Sequence, residues 1–271
     1  SFMTEFPAYY ATATAADYAM LVAQYGNDVP RGIKILQKGI ANPNTRRDMA
    51  GKFKLQLGDY YLLIGRRWDA SLTYSQVDKD FKEDMMGEDA RFRNSKLAYY
   101  HGDFDLAQKE LSILKASTSE LIANDAIYLS VLITENVEDS NLVPLQRFAY
   151  ADLLLFQNKD AEAETLLDSL NKAFPKHPLN DDILMQRAEI ALKHKDYTKA
   201  LSYLKTINEQ FGQDVLGDDA VFMMADIYQT NLHQVDLAKT LYEQLIIDYQ
   251  GSTYVQTARQ RLSEINNGAN P

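Results

Sequence analysis

A small residue recurs at regular intervals along the chain, each time near the start of an apolar-periodic segment. The six occurrences are Gly32, Ala70, Ala107, Ala163, Ala200 and Ala238. The intervals between them are 38, 37, 56, 37 and 38 residues. Because four of the five intervals agree within one residue, the pattern indicates an internal repeat. A chain of this kind is expected to stack one supersecondary unit upon the next.

The clearest copy of the repeat is the stretch 181–211, which contains two amphipathic segments separated by residues 194–196. Residues at helical spacing are Leu184, Arg187, Ala188 and Ala191 in the first segment and Ala200, Leu204 and Ile207 in the second. Small residues at these places allow two antiparallel helices to approach closely. In another copy, Leu57, Gly58 and Tyr61 follow the same pattern.

These motifs resemble the tetratricopeptide repeat (TPR), with its small residue in the middle of helix A and its alanine at the start of helix B. The interval is slightly longer than the ~34 residues typical of that family, and we expect the surplus in the loops between repeats. The resemblance covers nearly the whole chain. It implies an all-α, right-handed superhelical solenoid of about six helical hairpins.

The 56-residue interval is one and a half repeats, and therefore predicts one unpaired helix. That helix is Ser119–Thr134, whose apolar residues occur on every face, so we expect it to be buried on all sides as a junction. Residues 8–136 are then predicted to form an N-terminal array of three repeats plus the junction helix. Residues 142–266 are predicted to form a second array of three repeats, closed by an amphipathic capping helix after Gly251 and Ser252.

Composition and motifs exclude several classes of function. The net charge is -10 and the nearest basic clusters are pairs, which argues against nucleic-acid binding. The chain has no cysteine and no run of eighteen apolar residues, so disulfides, cysteine metal sites and membrane spans are not expected. No histidine pair at helical spacing, phosphate loop or nucleophile elbow is present. We therefore predict a non-enzymatic protein that needs no metal and no cofactor.

The family resemblance also selects candidate binding residues on the concave wall formed by the A helices. Helix-A positions three before and one after the small residue point into the groove in this family. The candidates are Phe92, Lys96, Phe148, Asp152, Met185, Glu189, Phe222 and Asp226, together with the adjacent pair Tyr99 and Tyr100. In the second half of the chain they pair a large apolar residue with a carboxylate. Such a track would suit a peptide or helix with apolar anchors and basic residues, although the phenylalanines could instead pack against the neighbouring helix.

The leading hypothesis is a scaffold that binds a peptide or partner helix in this groove. The last repeat and its closing helix are similar to TPR proteins of the bacterial periplasm and outer membrane, which suggests an envelope location. Residues Ser1–Thr4 show no secretion signal and resemble a cleavage scar, so the compartment stays open. Two alternatives are a carbohydrate-binding protein, which 17 tyrosines permit, and an enzyme whose site is assembled from scattered residues.

Overall fold

The computed structural model describes residues 13–117, 119–137 and 141–268, and over these residues every regular element is helical. The α-helices are α1 (Ala13–Gln24), α2 (Val29–Ala41), α3 (Arg47–Leu63), α4 (Arg67–Asp80), α5 (Met85–Tyr100), α6 (Phe104–Leu114), α7 (Glu120–Val137), α8 (Val143–Phe156), α9 (Asp160–Ala173), α10 (Asn180–Lys193), α11 (Tyr197–Gln210), α12 (Gly217–Asp226), α13 (Val235–Asp248) and α14 (Val255–Asn266). A short π-helical segment, Ile227–Asn231, follows α12. The predicted all-α helical-repeat class with an extra helix is confirmed.

The chain divides into two compact units, Ser1–Ala163 and Glu164–Pro271, here called the N-terminal and C-terminal units. Within each unit, helices that follow one another in sequence pack side by side, as in α3 with α4 and α10 with α11. The predicted arrays 8–136 and 142–266 stay a prediction, and residues 8–12 lie outside the described residues. Within the part of the chain that the structure describes, no helix is long and apolar enough to cross a membrane.

Each helical hairpin turns at one residue with a positive φ angle. These residues are Asn27, Gly65, Gly102, Asn158, Lys195 and His233. Each lies five positions before one of the recurring small residues, so the turns repeat the intervals found in the sequence. In four turns the next amide donates to a carbonyl five residues back, for example Arg66 to Tyr61 at 2.8 Å and Asp196 to Ala191 at 2.8 Å. This bond closes the end of the first helix.

Close packing of the two helices in a hairpin explains the recurring small residues. The alanines that begin the second helices, such as Ala70 and Ala200, have no solvent-exposed surface. On α3, a Cβ atom added at Gly58 would overlap the ring of Tyr74 on α4. Only glycine fits there without moving Tyr74, because interiors are packed too densely to leave room for a methyl group.

The surplus residue of the last repeat lies inside a helix. Seven positions separate Ala188 from the turn residue Lys195, whereas eight separate Ala225 from His233. The extra residue is accommodated by the π-helical segment, in which the Leu232 amide donates to a carbonyl five residues earlier at 3.0 Å. A widened turn absorbs one residue without breaking the helix. One surplus residue of this repeat therefore lies inside a helix and not, as expected, in a loop.

The prediction that the unpaired helix is buried on all sides is also wrong. Helix α7 buries one stripe, which includes Ala126, Leu129 and Ile133, while Leu121 is 71% exposed. The reason is that α7 packs mainly along α6, and α5 contacts α8 directly. The helix also continues to Val137, beyond its predicted end at Thr134, and Asn136 is buried within it.

Candidate functional site

A solvent-open cavity of about 620 Å³ lies in the N-terminal unit and is lined by residues of α3, α4, α5, α7 and α8. Its apolar lining residues include Leu55, Leu62, Phe92, Tyr100 and Phe156 from the helices and Met85, Met86, Leu121 and Ile122 from the starts of α5 and α7. Met85 and Leu121 are exposed although they are large and apolar. The volume is within the range of known ligand pockets, ~300 to 1,000 Å³. Two apolar residues of α7 that are not in the core, Leu121 and Ile122, thus line this cavity.

One wall of the cavity carries an ion-pair cluster centred on Arg93. Its guanidinium contacts the Asp59 carboxylate and donates two bonds to Asp89, at 2.9 and 3.1 Å. Tyr74 donates a hydrogen bond to Asp59 at 2.7 Å. Burial alone would lower the pKa of Arg93, but the two carboxylates outweigh burial and hold this pKa above its ordinary value. Arg93 therefore keeps its positive charge, which the carboxylates of Asp59 and Asp89 already neutralise.

Lys96 presents a second cation to the same cavity. Its Nζ atom lies 6.0 Å from the ring centre of Phe92 and 5.7 Å from that of Tyr100, which is the range of cation–π contacts. Among the residues that the structure describes, no carboxylate oxygen lies within 4.0 Å of this Nζ. Burial acts to lower the pKa of Lys96, but Tyr100 and Asp152 reverse the effect and raise it. The side chain is thus an ammonium ion held against aromatic rings.

Five of the ten predicted binding residues lie at or behind this cavity. Phe92, Lys96 and Tyr100 line it. Tyr99 is buried behind the wall, where its hydroxyl donates to the Asp152 carboxylate at 2.9 Å. This bond joins α5 to α8. Burial raises the pKa of the Tyr99 hydroxyl well above its ordinary value, and Asp152 adds to the effect, so the hydroxyl remains a donor.

The other five predicted residues are not brought together in one place. Phe148 is only 2% exposed and Met185 is buried, so both pack in the interior. Glu189 is exposed on α10. Phe222 and Asp226, from the last repeat, lie on α12 in the C-terminal unit. The binding role of all ten residues stays a prediction.

Helix α14 packs on α13 and reaches back to α12, as a capping helix should. The Tyr254 ring stacks on Phe222 with ring centres 4.3 Å apart, and its hydroxyl donates to Asp219 at 2.7 Å. Phe222 is therefore covered on one face. Asp226 lies 4.0 Å from an Arg261 guanidinium nitrogen of α14.

Sequence reasoning missed most of the apolar residues that line the cavity. The sequence pattern places Leu121 and Ile122 in a fully buried helix and does not indicate Met85 or Phe156. One signal was present, because a helix that is apolar on every face must either be enclosed or border a cavity. The pattern itself does not distinguish these two cases.

No group of three or more His, Cys, Asp or Glu side chains placed to hold a metal ion occurs within residues 13–117, 119–137 and 141–268. Repeated hairpins, a uniform turn and an open apolar cavity define the protein as an all-helical repeat protein. Such proteins typically act as interaction scaffolds.

A comparison with family models extends this classification. Residues 136–245 match the model described as the ARM repeat of Tetratricopeptide repeat protein 21. This similarity supports a TPR-like helical-repeat protein. No curated protein shows significant similarity to the chain.

Proposed function

We propose that the protein is an interaction scaffold whose N-terminal unit binds a peptide or partner helix by taking one of its apolar side chains into the 620 Å³ cavity. The observation that carries the proposal is the cavity itself, with exposed Met85 and Leu121 at its edge. Exposed apolar surface around a concave site is typical of a protein interface. Methionine suits such a site because its flexible side chain adapts to different partners.

Acidic residues elsewhere in the chain support the sequence-based proposal that the partner also carries basic residues. Glu189 is exposed in the C-terminal unit, and the net charge of the whole chain is -10. Net charge of this size steers a basic partner during encounter, although it adds less to the final affinity. The apolar anchor in the cavity would then supply most of the binding free energy.

Peptide selection with matched variants tests this proposal, because a random library covers many combinations of apolar and charged residues. A phage-displayed library of random dodecapeptides is selected on the wild-type chain, and the enriched peptides are then measured on Leu121→Glu. Leu72→Glu is the control, because Leu72 is 61% exposed on α4 and is not among the residues that line the cavity.

We expect the peptides to carry a large apolar residue, to bind Leu72→Glu as they bind the wild type, and to lose most of their affinity for Leu121→Glu. Equal binding to both variants, or no enrichment of apolar residues, would show that the cavity is not the binding site. Phe148→Ala is unsuitable as a test, because Phe148 is a core residue and its loss would act through stability.

The carbohydrate-binding alternative has less support. Trp68 is 73% exposed, but Arg67 stacks on its ring at 4.1 Å, and the residue is not among those that line the cavity. Titration with oligosaccharides tests it directly. The periplasmic or envelope location is also a proposal, which rests on sequence resemblance alone and is tested by fractionation of the source cells.

A further inference from the structure

The cavity of the N-terminal unit contains one cation, Lys96, that belongs to none of the ion pairs among the described residues and is only partly exposed. We infer that the partner places a side-chain carboxylate next to its apolar anchor, and that this carboxylate pairs with Lys96. The inference rests on the proposed function, because it identifies the chemistry of the segment that enters the cavity. It concerns an aspartate or glutamate side chain within the partner and not a chain terminus.

The three cations among the described residues of the cavity have different surroundings. Arg93 contacts two carboxylates, and Lys52 is exposed to solvent. Lys96 is only partly exposed and lies between two aromatic rings, with no carboxylate within 4.0 Å in the part of the chain that the structure describes. Asp125, which also lines the cavity, and Asp152 favour the charged form of Lys96 through longer-range electrostatics, but Lys96 belongs to none of the ion pairs among the described residues. Lys96 is therefore the cation available to a ligand.

A carboxylate that entered beside Phe92 and Tyr100 would gain a charge-assisted hydrogen bond from Lys96. Such bonds are about twice as strong as bonds between neutral groups. Lys96 has already lost part of its hydration to the aromatic rings, so less desolvation remains to oppose pairing. The surrounding apolar residues would meanwhile bury the neighbouring side chain. Both contacts need one segment that combines an apolar residue with an acidic one.

The inferred preference of the cavity for an acidic side chain is opposite in charge to the basic partner that the sequence predicts. The expectation rested on carboxylates of the second half of the chain, including Glu189, whereas the cavity lies wholly within the N-terminal unit. The two statements concern different surfaces. A partner could carry an acidic anchor for the cavity and basic residues elsewhere.

The test uses the strongest peptide from the selection on the wild-type chain, synthesised with an acetylated amino terminus and an amidated carboxyl terminus. Its acidic residue is changed to the corresponding amide in a matched peptide, and both are titrated by fluorescence anisotropy. On the wild type, the amide peptide should bind about tenfold more weakly, which is the usual loss for a hydrogen bond to a charged group.

On Lys96→Met the two peptides should bind equally, because the charged partner is gone. Lys52→Met is the control: it removes the exposed lysine of the same cavity and should keep the tenfold difference. If Lys96→Met does not fold, as judged by circular dichroism, Lys96→Arg replaces it and should keep the preference for the acidic peptide.

Two results would overturn the inference and leave the proposed function intact. The selected peptides could contain apolar residues but no acidic one, or the difference between the acid and amide peptides could persist in Lys96→Met. Failure of the proposed function is recognised separately, by peptides whose binding does not change in Leu121→Glu.

Discussion

Tyr254 connects α14 to α12 through a stacked ring and a hydrogen bond, and two substitutions separate these contributions. Tyr254→Phe keeps the ring on Phe222, 4.3 Å away, and removes the hydroxyl that donates to Asp219 at 2.7 Å. Tyr254→Ala removes both contacts. Phe222 is one of the predicted groove residues. The two substitutions therefore also measure how much free energy holds the capping helix α14 over Phe222.

The magnitudes follow from the two contacts. A hydrogen bond to a charged group contributes about 1.5–3 kcal/mol, and Tyr254 and Asp219 are both only partly buried, so we expect Tyr254→Phe to cost about 1–2 kcal/mol. Loss of the stacked ring adds about 0.5–1.5 kcal/mol beyond the lost burial of apolar area. Tyr254→Ala should therefore cost about 3 kcal/mol or more.

Calorimetry at pH 7 measures these effects, with Tyr25→Phe as the control because Tyr25 is strongly exposed. At about 2–4 °C per kcal/mol, Tyr254→Phe should lower the Tm by about 2–8 °C. A change no larger than that of Tyr25→Phe would refute the assignment of stability to the hydrogen bond.

The pH dependence of this bond has a defined sign. Burial raises the pKa of Asp219, and the bond from Tyr254 acts in the opposite direction by stabilising the carboxylate. Tyr254 therefore contributes its full stabilisation above the pKa of Asp219 and loses much of it as the pH falls through that pKa. The stability difference between wild type and Tyr254→Phe should shrink on acidification, and carboxyl NMR should show a further rise of the Asp219 pKa in the variant.

Two further predictions concern the packing and the turns of the repeats. Gly58→Ala should cost about 1–3 kcal/mol because its methyl group overlaps Tyr74; Gly251→Ala, where a Cβ atom meets nothing within 4 Å, is the control in the same denaturant titration. Lys195→Gly should stabilise the protein by about 0.5–1 kcal/mol, because Lys195 has a φ of 59°. A lower denaturation midpoint for Lys195→Gly would contradict the second argument.

The sequence was sufficient to predict the helical repeats because their determinants are local. The spacing of Ala70, Ala107 and the other recurring small residues is fixed by a turn and a close helix contact that lie within one hairpin. Gly65 and Gly102 have positive φ angles, which glycine adopts without strain. Asn158 and Lys195 have the same conformation without being glycine. Their positions followed from the repeat rather than from residue type.

The cavity could not be predicted in the same way, because it forms where part of α7 has no neighbouring helix to pack against. The pattern of α7 records that Leu121, Ile122 and Leu129 are apolar, but not which of them meets another helix. In the structure Leu129 is buried, whereas Leu121 borders the cavity and stays exposed. Each of these apolar residues would favour burial by about the same free energy per unit area. Exposed apolar surface beside a lysine that has no close carboxylate among the described residues is therefore a property of the assembled fold, and it defines the surface at which a partner is most strongly expected.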